Sequence, residues 1–119
     1  MDAINALKAD FRQKMTGEMQ FLDVPEIKNK EGVPLRIYYK PCMTLKEQQK
    51  ILALQNQDKA GEAIAQTLIF RALDEDGNRL FKRANMPELM NEVDPNVTSR
   101  IVADMANKND DSIEDIAKN

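Results

Sequence analysis

A chain of 119 residues with 42% hydrophobic content is long enough for one domain with one modest core and too short for two. Its 17 Lys and Arg against 20 Asp and Glu leave a net charge of −3, and no block of basic residues exists to follow a phosphate backbone, so nucleic acid is not an expected partner. Histidine is absent and Cys42 is the sole cysteine, which removes histidine-dependent triads, the commonest metal ligand, intramolecular disulfides and two-cysteine metal frameworks.

The first segment, residues 1–19, carries charges at Asp2, Lys8, Asp10 and Arg12 and no continuous apolar run, so it does not read as a secretory signal. No long uncharged apolar stretch follows it, and a membrane is not an expected partner. Ile4, Leu7, Phe11 and Met15 are spaced by three and four, which aligns them along one side of a helix that Thr16-Gly17 ends. Such a stripe either packs on its own domain or waits for a partner, and self-association is compatible with it.

A compact core domain is expected over residues 20–106. From Gln20 to Ile27 and from Val33 to Lys40 the composition turns β-like, with Leu35, Ile37 and Tyr39 alternating in the second run. Residues 28–32 make a suitable hairpin loop. Pro25 and Pro34 cannot donate ladder hydrogen bonds, so at least one strand is expected on an edge. Cys42, beside Pro41 and Met43 and with no His to draw off its proton, reads as a partly buried thiol at the strand-to-helix junction.

Thr44-Leu45-Lys46-Glu47 has capping-box spacing, which predicts a helix from Leu45 with Leu45, Ile51, Leu52 and Leu54 inward. A polar break at residues 55–58 precedes the strongest helical run, Lys59 to Leu73. Its wide apolar arc, from Ala60 to Leu73, predicts a central helix contacted on more than one side.

Asp74-Glu75-Asp76-Gly77-Asn78 then reads as an acidic turn in which Gly77 takes positive φ and ends the helix, with Leu80 and Phe81 returning to the core. An EF-hand loop with Gly77 sixth would run from Ala72 to Arg83, neither of which supplies a carboxylate. Glu62, Asp74, Glu75 and Asp76 read as a solvated face and turn, and no metal or cofactor is expected. Asn85-Met86-Pro87-Glu88 predicts a short helix through Val93. Asp94-Pro95 predicts a longer one with Val97, Ile101, Val102 and Met105 buried. Residues 107–119 are polar and acidic and are expected to form a poorly ordered tail. Met86 and Met90 flank Leu89 on one turn, a flexible apolar surface that can fill a core or adapt to a partner.

The expected fold is therefore α+β and mainly helical, an N-terminal β-hairpin packed on a small helical bundle. The order of a Val24-Pro25-Glu26 strand, Tyr38-Tyr39-Lys40-Pro41 followed by Met43-Thr44-Leu45-Lys46-Glu47-Gln48, a helix running into residues 74–81, then Leu89 and a last helix around Ile101 resembles a tail assembly chaperone of long-tailed, siphovirus-like bacteriophages. The match covers roughly Phe21 to Met105 and departs from the pattern at Ile27-Lys28, where members often place an aromatic residue and a glycine. The resemblance implies a non-enzymatic chaperone without cofactors. Such a protein binds the tape-measure protein, keeps it soluble, helps recruit tail-tube subunits in the host cytoplasm and leaves before the virion matures. It also implies a second, longer product of a −1 ribosomal frameshift, and Ala117-Lys118-Asn119 can be encoded by a slippery heptamer. The partner-binding candidates are Ile4, Leu7 and Phe11 on the first helix and Met86, Leu89 and Met90 later. A small adaptor or regulatory domain that binds another helical partner is the alternative, and an enzyme that uses the acidic turn with a metal is a third.

Overall fold

The computed structural model describes residues 2–17 and 19–118, with side chains described as far as Ala106. The expectations for a tail at 107–119 and for the Ala117–Asn119 segment fall outside those described side chains.

Asn29 sets the hairpin. Its carboxamide oxygen accepts from the backbone N–H of Glu31 and Val33, and Gly32 sits at φ 81°, so the chain reverses between β1 (Gln20–Lys28) and β2 (Pro34–Tyr39). The strands are antiparallel, with Leu22 opposite Ile37 and Val24 opposite Leu35 on the core-facing side. Phe21, Asp23, Arg36 and Tyr38 lie on the other side, where the Arg36 guanidinium stacks on Phe21 and bonds Asp23. The register shifts between Val24 and Lys28, around Pro25, and β1 is an edge strand of the sheet order β1-β2-β3, as a mid-strand proline requires.

The capping box forms as the spacing predicts. Thr44 Oγ1 accepts from Glu47 N at 3.1 Å and Glu47 Oε1 accepts from Thr44 N at 3.0 Å, opening α2 (Leu45–Asn56). Asp58, at φ 59°, closes α2 in a left-handed turn, with Lys59 N donating to Leu54 O. Of the four leucines and isoleucines expected inward on α2, Ile51 is buried and Leu54 half-buried, but Leu45 is 84% and Leu52 51% exposed. The correction follows from geometry: α2 packs chiefly on α3, so a narrow stripe suffices and the rest of its apolar arc faces outward.

Helix α3 (Ala60–Arg71) is the central element. Ala63 and Phe70 pack with Ile51 of α2, while Leu68 packs with Leu22, Val24, Ile37 and Tyr39 of the sheet. It is contacted on both sides, as its wide apolar arc predicts. Its end differs from the sequence expectation of Leu73. The helix stops at Arg71, and Ala72–Leu73 turn extended to form β3, antiparallel to β2 with Tyr38 opposite Leu73 and Tyr39 opposite Ala72. The open backbone groups of β2 offer Ala72 and Leu73 partners that a further helical turn would forgo.

Gly77 accordingly closes a β-turn rather than a helix. At φ 86° it donates to Asp74 O, Asp74 N donates to Asn78 O, and Asp74 Oδ1 accepts from Asp76 N and Asn78 N. The returning chain lays Leu80 and Phe81 on the core. A 3-10 turn at Arg83–Asn85 leads into α4 (Met86–Asn91). Asp94 then caps α5 (Pro95–Lys118) by accepting from Asn96 N at 2.9 Å, with Pro95 as the first helical residue. Ile101 and Met105 are buried in the main core, with Val97 and Val102 packed against it.

Helix α1 (Ala3–Thr16) is capped at both ends, by the Asp2 carboxylate accepting from Ile4 N and by Gly17 N donating to Gln13 O, yet none of its residues is buried. At its C-terminal end Met15 Sδ meets Cys42 Sγ at 3.9 Å. Cys42 is the half-buried thiol expected between β2 and α2.

Five helices and a three-stranded antiparallel sheet thus make the α+β, mainly helical fold that the sequence predicts.

Candidate functional site

The core-facing side of β2 is longer than the helices that cover it. Tyr39 and Ile37 are buried, but Leu35, two residues nearer the hairpin tip on the same side, is exposed. The uncovered end meets the start of α5 and the end of α4. Between them lies a cavity of about 370 Å³. Ile27 and Leu35 from the hairpin form one wall, Leu89 and Val93 another, and Val97, Thr98 and Ile101 of α5 a third. Ile37, Leu68 and Phe81 close the floor, and Asp94 is the one charged residue in the lining. Arg100 of α5 bonds the Glu26 carboxylate beside Ile27, tying the bulged end of β1 to α5 and holding the two walls at a fixed separation.

Three lining residues, Ile27, Leu35 and Val93, are large apolar side chains left exposed. A groove of this composition recognises apolar groups, and an amphipathic helix laid across it could bury its stripe. No group of three or more acidic or cysteine side chains that could hold a metal occurs among the described residues, and no helix among them is long and apolar enough to cross a membrane.

The six candidate residues separate into three environments. Leu89 lines the groove and also packs on the core. Met86 is half-buried, and Met90 lies toward α3, where a Cβ added to Gly61 would meet Met90 Cε at 3.5 Å. The two methionines therefore do not form the groove with Leu89. Ile4, Leu7 and Phe11 are exposed on α1, and Leu7, Phe11 and Met15 share an open surface with Lys8 and Arg12.

Sequence reasoning did not find Ile27, Leu35, Phe81, Val93 or Val97 as site residues. The available signal was the apolar hairpin tip, where Ile27, Val33 and Leu35 surround a polar loop. Alternation in β2 shows which side Leu35 faces but not where the covering helix stops.

A second cleft lies on the opposite side of the sheet, lined by Asp23, Arg36, Tyr38, Asp74 and Glu75 among others. Arg36 is committed there to Asp23, which holds its guanidinium pKa above the ordinary value, with Tyr38 adding to the rise. Inside the fold, Arg71 is buried and donates from Nε and Nη2 to Lys40 O, and burial lowers its pKa. It joins the end of α3 to the end of β2.

No protein-family model, curated protein or solved structure matches the chain.

Proposed function

We propose that this protein is a non-enzymatic tail assembly chaperone that takes an amphipathic helical segment of the tape-measure protein into the groove at the hairpin tip. On this reading it keeps that client soluble in the host cytoplasm, helps bring tail-tube subunits to it and leaves before the virion matures. The groove is the observation that carries the reading: an open apolar cleft walled by the hairpin, α4 and α5 and braced by Glu26 and Arg100. A tape-measure chain presents long apolar stripes that aggregate when exposed, and reversible burial of such a stripe requires an apolar cleft but no catalytic group. Asp94, the one charged residue in the lining, favours a client with basic residues flanking its stripe.

Titration calorimetry with helical segments of the tape-measure protein from the same genome tests this. Ile27→Asp and Val93→Asp, both at exposed positions, should weaken binding at least tenfold while leaving the fold intact. Binding undiminished in both variants would remove the groove from the mechanism. If no tape-measure segment binds at all, the chaperone reading fails.

A further inference from the structure

Helix α1 and the groove are complementary in chemistry and share no residue within one copy. The helix exposes Ile4, Leu7 and Phe11 along one side, and Lys8 and Arg12 border the apolar surface that Leu7, Phe11 and Met15 form. The groove exposes Ile27, Leu35 and Val93 and has Asp94 as its lining charge. An isolated helix of 14 residues is marginal in water, so α1 gains stability chiefly by being covered.

Its own groove does not cover it in this structure: no residue of α1 is buried, and the surface around Leu7 and Phe11 shares no residue with the groove.

We infer that two copies exchange α1 helices, each laying its stripe in the groove of the other and its basic border toward Asp94. The exchange is reciprocal and closes as a two-fold dimer, leaving neither stripe free. It also occupies the surface a client needs, so dimer formation and client binding compete, and the client must displace α1. This exchange rests on the groove as the binding surface and not on the client's identity. A dimer without tape-measure binding therefore leaves it standing, and tape-measure binding by a strict monomer overturns it alone.

Sedimentation equilibrium of the full chain provides the test. The parent should dimerise, and Phe11→Asp, which removes the stripe, and Val93→Asp, which removes a groove wall, should each weaken the dimer at least tenfold. Lys8→Glu with Arg12→Glu, which leaves every apolar residue in place, should also weaken the dimer. A parent that stays monomeric at about 100 μM, a concentration well above the micromolar range expected for a specific interface, would overturn the exchange. So would a dimer that survives Val93→Asp, since stripes pairing with each other need no groove.

Discussion

Helices α1 and α3 differ in a way that local sequence rules would rank backwards. Helix α1 is capped at both ends and carries a clean apolar stripe, yet buries nothing; α3 has no side-chain cap at Lys59 and buries residues on two sides. Capping and amphipathicity decide that a segment can be helical. What holds it is the surface it meets: α3 lies between α2 and the sheet, whereas α1 precedes the first strand and leaves Ile4, Leu7 and Phe11 exposed, with Met15 against Cys42 at its end.

The largest expected effect tests that contrast directly. Leu68→Ala should cost about 2–5 kcal/mol, because the side chain is enclosed by sheet and helices, whereas Leu7→Ala should change global stability by less than about 0.5 kcal/mol at low protein concentration. Urea midpoints of the two variants measure this, and equal losses would show that α1 belongs to the cooperative unit.

Caps sharpen the comparison at the next level. Thr44→Ala should lower stability by about 1 kcal/mol, since α2 unfolds with the core. Asp2→Ala should reduce the helical circular-dichroism signal of α1 without moving the urea midpoint. A midpoint unchanged by Thr44→Ala would mean that the α2 cap contributes nothing to the folded domain.

Gly77→Ala is expected to cost about 1–2 kcal/mol, because φ 86° is a conformation that a Cβ disfavours. Asp74→Asn retains an acceptor for the amides of Asp76 and Asn78 and should cost little beside it. Thermal melting of both variants in one buffer gives the ordering, and the reverse order would show that the turn is held by charge.

The smallest effect is expected at Tyr39, whose hydroxyl is buried and has no hydrogen-bond partner among the described residues. Tyr39→Phe should be neutral or slightly stabilising at pH 7. Burial raises the phenol pKa above its ordinary value, with Arg71 opposing the rise and Asp104 adding to it. The unfolded chain ionises near about pH 10 while the folded protein keeps the proton. Stability is therefore fully present below that value and falls as pH rises toward and through the folded-state pKa. Urea midpoints at pH 9 and 11 should show a smaller alkaline loss for Tyr39→Phe than for the parent, and identical losses would place the alkaline sensitivity elsewhere.

Much of this fold was legible along the chain because the signals were local. Asn29 and Gly32 in the hairpin loop, the Thr44 and Glu47 pair, and Asp94 before Pro95 each act within a few residues; the loop reverses the chain where expected, and the two caps form as their spacing predicts. Ala72 and Leu73 did not read as strand because their helical pattern continues that of α3, and only the unpaired side of β2 draws them out. Leu45 and Leu52 looked buried for a similar reason: a stripe records which residues could face a neighbour, not whether one is there.

The sequence by itself determined the order of the helices and of the two hairpin strands, the caps, the core side of β2 and the amphipathic character of α1, all consequences of backbone geometry and side-chain spacing over a few residues. Only the tertiary structure decided where coverage ends. The groove exists because β2 extends past the helices packed on it, so that Ile37 is enclosed while Leu35 is open, and Ile27, Leu89, Val93 and Val97 converge there from distant parts of the chain. Burial depends on neighbours brought together by the whole fold, and apolar residues with the same local pattern become core or surface according to which neighbours arrive.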